Sequence, residues 1–62
     1  MDLPDFLSAR VEGRDDRQAD AIRAAVEWHA RAEGDERDGA HFILRQFASE
    51  WSEHPDYDPA WV

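Results

Sequence analysis

The run from Ala40 to Trp51, AHFILRQFASEW, decides the fold. Ala40, Ile43, Leu44, Phe47, Ala48 and Trp51 recur at the i, i+3, i+4, i+7 spacing that gathers residues on one side of a helix, and Arg45, Gln46, Ser49 and Glu50 fall off that side. A helix with a single apolar stripe has to bury it against another element, so the rest of the chain must supply one. Phe42 lies off the stripe. It is either covered by the arriving chain or the tail, or exposed at a surface that meets a partner.

Immediately upstream, GDERDG (Gly34 to Gly39) brackets four charged residues with two glycines and reads as a turn that reverses the chain. Asp38 is then the N-cap of a helix over about residues 39–53, which stops where Pro55 biases His54 away from helical geometry. Before the turn, Ala19, Ile22, Ala25, Val26 and His29 line one side of an alanine-rich helix over about 15–33, with Gly34 as its stop signal. At the start, Asp2 can cap, Pro4 suits a first turn, Asp5 favours the positive end of the dipole, and Leu3, Phe6, Leu7 and Val11 share a face. That predicts a helix over about 3–12. The polar stretch Arg14 to Gln18 thins the stripe between Val11 and Ile22, so one long bent helix and two separate helices both fit. The expected fold is all-α: a small helical hairpin or three-helix domain with an ordered C-terminal tail, residues 54–62, packed on it.

Sixty-two residues make a single domain, and at this size a chain buries only about 60% of the surface it exposes when unfolded. With no cysteine, disulfides and a thiolate zinc site are excluded, and a reducing, cytoplasmic setting is expected. No secretory leader pattern and no membrane-length apolar run stand in the sequence. Fifteen acids against seven arginines give a formal charge of −8, a field that repels phosphate and favours basic partners. The arginines are dispersed among the acids, so direct nucleic-acid binding is not expected.

The ending SEHPDYDPAWV places two prolines, a tyrosine and a tryptophan where small domains usually fray. Asp58-Pro59-Ala60-Trp61 has the signature of a type I turn, and two fixed φ angles lower the entropy cost of ordering the segment. Tyr57 and Trp61 are expected to fold back on the hairpin, each worth on the order of 1.5–3 kcal/mol if well buried. The alternative leaves one of them exposed as an anchor for a partner.

HPDY followed by an acid and a tryptophan, with an opening of the form FL-x-AR-x-E (Phe6, Leu7, Ala9, Arg10, Glu12), resembles a family of short proteins of actinobacteria and their phages that has no assigned activity. The resemblance covers the two ends, about a third of the chain. Family members commonly carry a middle section rich in His, Arg and Lys, whereas this chain has EWHARAEGDERDGAHFILRQF there, without lysine. The resemblance implies a helical hairpin closed by the tail, and a mobile-element context. The absence of Lys, Asn, Thr and Cys beside abundant Ala, Arg, Asp and Glu also resembles the coding bias of a high-GC genome.

The chemistry-bearing residues are sparse. His29 with Glu33 and Glu50 with His54 stand at i, i+4, but no dense ligand motif accompanies them, and a metal site would need His29, His41 or His54 to converge from different elements. Ser8, Ser49 and Ser52 lack a nucleophile setting. A chain this small is expected to have little room for a small-molecule pocket of roughly 300 Å3 or more. No catalytic residue, metal or cofactor is therefore assigned, and an enzyme is not expected. The expectation is a small acidic module that binds a protein partner through spare aromatics, Phe42, Tyr57, Trp61 and Trp28. Two other readings follow from the same residues: an acidic mimic of nucleic acid that inhibits a DNA-binding protein, which the interspersed arginines weaken, and self-association of two hairpins as a homodimer in a four-helix bundle.

Overall fold

The computed structural model describes residues 1–61. Its elements are three α-helices and two short 3-10 turns, with no strand among the described residues. The all-α expectation holds.

Helix α1 spans Leu3–Arg10. Asp2 is extended and its carboxylate accepts the Asp5 N–H at 3.0 Å, Pro4 occupies the first turn, and Leu3, Phe6 and Leu7 are buried. The helix ends at Val11, and Gly13, with φ at +79°, redirects the chain in a left-handed conformation that glycine adopts without steric cost. The first two helices are thus separate. Helix α2 spans Arg17–Arg31 and is capped by Asp16, whose carboxylate accepts the Ala19 N–H at 3.3 Å and two hydrogen bonds from the Arg14 guanidinium at 2.8 Å each. The Arg14 hydrogen bonds hold the Asp16 carboxyl below the usual carboxylate range. From nearly two turns into α2, Arg23 donates to the carbonyls of Val11 and Arg14, which fastens the connection to the helix it precedes.

The chain then reverses over Ala32 and Glu33 alone. Helix α3 spans Gly34–Ala48, so GDERDG is its opening rather than a turn, and Asp38 sits inside the helix rather than at its cap. Three effects outweigh the glycine bracket. Gly34 takes φ of +59° and completes the reversal that Ala32 and Glu33 begin. Asp35 and Glu36 sit in the first turn, where the dipole favours acids. Across the reversal, the Trp28 indole N–H donates to Glu36 at 2.7 Å. At its far end α3 stops at Ala48 and tightens into a 3-10 turn, Ser49–Trp51, instead of continuing to Glu53. The Ser49 hydroxyl donates to the Gln46 carbonyl at 2.7 Å, a local bond that competes with continuation of the helix.

Helices α2 and α3 form the expected antiparallel hairpin, bonded at its open end by Gln18 to Glu50, and α1 lies across both. The core joins Leu3, Phe6, Leu7 and Val11 to Ala19, Ile22 and Ala25, and to Leu44 and Ala48. The tail closes it. Trp61 N–H reaches the Asp58 carbonyl at 3.0 Å and Ala60 N–H the Asp58 carboxylate at 2.9 Å, forming the anticipated Asp-Pro-Ala-Trp turn as a 3-10 turn over Pro59–Trp61. Phe6, fully buried, receives His54, Tyr57 and Trp61 at ring-centroid distances of 5.6, 6.0 and 5.1 Å, and the Arg10 guanidinium stands 5.2 Å from its ring centre. Arg10 also bonds the His54 ring, so one α1 side chain holds the tail at its root.

Candidate functional site

The partner-binding residues expected from the sequence do not form one surface. Tyr57 and Trp61 meet edge to face at 5.3 Å, both half-buried against the core, and their rings are spent largely on Phe6. Trp28 is half-buried and engaged by Glu36 at the closed end of the hairpin. Phe42 alone projects, 52% exposed, with the Arg45 guanidinium 5.9 Å from its ring centre.

Ile43, which the periodicity assigns to the buried stripe, is 37% exposed. The reason is angular: Ala40, Leu44 and Ala48 lie along the line that faces the core, and Ile43 stands 100° from Leu44 around the helix. The displacement puts Ile43 beside Phe42. With Gly39 and Gln46, one turn to either side, they make an exposed face on α3, with Arg45 along the Phe42 edge. Asp35, Asp38 and Glu50 stand around it at helical spacing, all exposed.

A second feature lies on another flank of α3. Where α1 starts, near the end of α2 and the beginning of α3, a cleft of about 570 Å3 opens. It exceeds the room expected for so small a chain, and Trp61 of the tail lines it together with residues of the three helices. The remaining apolar lining comes from Leu3, Pro4, Val26 and Ala30. Its polar lining falls into two groups by origin, Asp2 and Asp5 from α1, and His29, Arg37 and His41 from α2 and α3.

His29 and His41, separate in sequence, come within 6.0 Å between ring centroids. They do not assemble a metal site, since no group of three or more His, Asp or Glu with metal-binding geometry occurs among the described residues. His54 is elsewhere, against Arg10 and Phe6. His29 is only 8% exposed, and its imidazole is pushed below its ordinary titration range by burial, then by Arg37 and His41, with Asp2 opposing.

Of these features, Phe42 was legible as the aromatic off the stripe. The cleft was not, because its lining comes from four segments that only the fold brings together. The sole hint was that His29 lies on the apolar face of α2. Among the described residues, no helix is long and apolar enough to cross a membrane. Comparison with protein-family models, with curated proteins and with solved structures finds no match.

Proposed function

We propose that this chain is a protein-interaction module that docks the α3 face of Phe42, Ile43, Gly39 and Gln46 on an apolar spot with a basic rim. The observation that carries this reading is the exposure of two large apolar side chains on neighbouring positions of α3, with Asp35 and Asp38 toward one end, Glu50 toward the other and Arg45 beside Phe42, on a protein of formal charge −8. Helical faces enter a partner's groove through anchors one turn apart, and here Phe42 and Ile43, about 100° apart, mark the two edges of a face that Gly39 and Gln46 extend by one turn each way. The acidic surroundings set the sign of the partner's rim and speed encounter with it.

The same acids argue against two copies pairing through this face, because a homodimer would bring Asp35, Asp38 and Glu50 against their own kind. The tail aromatics are assigned a different role, as part of the core that holds α3 in place. The resemblance of the two chain ends to proteins of actinobacteria and their phages makes a host protein the partner to look for first.

The test is capture from a nuclease-treated actinobacterial lysate with three baits: the wild type, Phe42→Ala with Ile43→Ser, and Trp28→Phe. A protein retained at high salt by the wild type and by Trp28→Phe, but lost from the double variant at unchanged thermal stability, is the expected result. Equal capture by the double variant would remove α3 from the interface. Capture that vanishes in salt for every bait would turn the reading toward electrostatic mimicry, and concentration-dependent dimers in light scattering would turn it toward self-association.

A further inference from the structure

The cleft beside α1 contains polar groups that the fold itself does not use. His29 is more than nine-tenths buried, lines the cleft, and hydrogen-bonds no described residue. The ion pairs among the described residues take Arg14, Arg23 and Arg31; Arg37, like Arg10, Arg17 and Arg45, stands in none, and it lines the same cleft as Asp2 and Asp5. One Asp2 oxygen caps α1 through the Asp5 N–H, and the Asp5 carboxylate has no partner among the described residues. Arg45 Nε is the buried side-chain polar atom without a partner among the described residues, so the His29 ring nitrogens keep contact with the open cleft, where a ligand can pair with them.

We propose that this cleft binds a free apolar α-amino acid, with the carboxylate on Arg37, His41 and His29, the ammonium on Asp2 and Asp5, and the side chain against Trp61, Pro4 and Val26. The volume of about 570 Å3 lies within the range of small-molecule sites, and an apolar lining with a few converging polar groups is their usual form. The donors come from α2 and α3 and the acceptors from the cap and first turn of α1, so both charges of a dipolar ligand have a counterpart in one cleft. A zwitterion is also what the overall field permits. With a formal charge of −8, a ligand that carried only a carboxylate or phosphate would be repelled, whereas a molecule of zero net charge is not.

This site is independent of the proposed docking face. Arg37 and His41 stand about 100–140° around α3 from Phe42, so loss of either function leaves the other measurable.

Imidazole and indole signals of the full chain, followed by NMR, provide the test, with three probes at millimolar concentration: L-phenylalanine, 3-phenylpropanoate, which lacks the ammonium, and 2-phenylethylamine, which lacks the carboxylate. L-Phenylalanine is expected to shift the His29, His41 and Trp61 signals saturably, and each truncated probe to bind about tenfold more weakly or worse, the loss of one charge-assisted contact. Arg37→Gln, an exposed position, is expected to weaken L-phenylalanine about tenfold at unchanged melting temperature, whereas Arg31→Gln, on the outer side of α2, leaves it unchanged. No saturable shift with L-phenylalanine would overturn the proposal. So would equal binding of 3-phenylpropanoate, or an Arg37→Gln variant that binds as the wild type does.

Discussion

Phe6 is the side chain on which helix and tail meet. Its ring is fully buried and touches helix and tail alike, with His54, Tyr57 and Trp61 around it and Arg10 over one face. Phe6→Ala is expected to cost about 3–5 kcal/mol, the range for emptying a large aromatic site, and to abolish the near-ultraviolet signal of Trp61 before the helical signal is lost. A folded Phe6→Ala variant that kept the wild-type near-ultraviolet signal would show that the tail does not depend on this ring. His29 makes the second prediction at this scale. Its folded-state affinity for a proton is depressed by burial first, so the unfolded chain takes up the proton more readily. The stability His29 supports is present above the ordinary imidazole value of about 6.5 and falls as pH drops through that value toward the lower folded-state one. Urea melts between pH 7.5 and 5 are expected to show this decline, and His29→Gln to flatten it. A wild-type curve level over that window would contradict the assignment. Residue by residue, the sequence was most legible where chemistry was local. Tyr57 and Trp61 were expected to fold back and do, whereas Phe42, off its stripe, was left open between a covered and an exposed position and is exposed. Ile43 was misplaced because periodicity alone does not give the width of the buried line, which here is only that of Ala40, Leu44 and Ala48.

Elements were legible from their caps and stripes, and least so where glycine was involved. Asp2 and Asp16 cap as their positions indicate, and Pro4 sits in a first turn. The start of α3 was hidden because a sequence cannot distinguish a glycine that breaks a helix from one that only weakens it. Gly34 and Gly39 bracket the same acids, yet Gly34 has φ of +59° and Gly39 is an ordinary helical residue. Opposite outcomes follow from one substitution. Neither site would crowd an added methyl group, so backbone conformation alone decides. Gly34→Ala is expected to destabilise by about 1–2 kcal/mol, the cost of a left-handed conformation for an L-residue. Gly39→Ala is expected to stabilise by about 0.5–1 kcal/mol, from helix propensity. Paired thermal melts check both. If Gly39→Ala destabilised as much as Gly34→Ala, the segment would be the turn that its composition first indicates, with α3 beginning at Ala40. The tail obeys the same local logic, since the Asp58 hydrogen bonds that fold it lie within three residues. Its target, Phe6, was beyond local reading.

Charge acts on the molecule as a whole. Fifteen acids and seven arginines leave a large negative excess, and the described ion pairs do little to offset it: Arg14 with Asp16, Arg23 with Asp20, and Arg31 with Glu27 are partners close in sequence, on α2 or its approach. None of these pairs joins two helices. Tertiary structure rests instead on the apolar core and on uncharged or mixed contacts, Trp28 to Glu36, Gln18 to Glu50 and Arg10 to His54. Salt therefore has mostly repulsion to screen. At 10 mM ionic strength the Debye length is about 30 Å, comparable to the 29 Å longest dimension of the molecule, so every acid interacts with the rest. At 200 mM it falls below about 10 Å and the long-range repulsion is gone, whereas the close pairs on α2 keep part of their attraction. The melting temperature is accordingly expected to rise by several degrees between 10 and 200 mM sodium chloride, since in a domain of this size about 1 kcal/mol corresponds to roughly 4–8 °C. A melting temperature that fell with salt would mean that ion pairs do bind the helices together, and the apolar core would have to be assigned a smaller share of the stability.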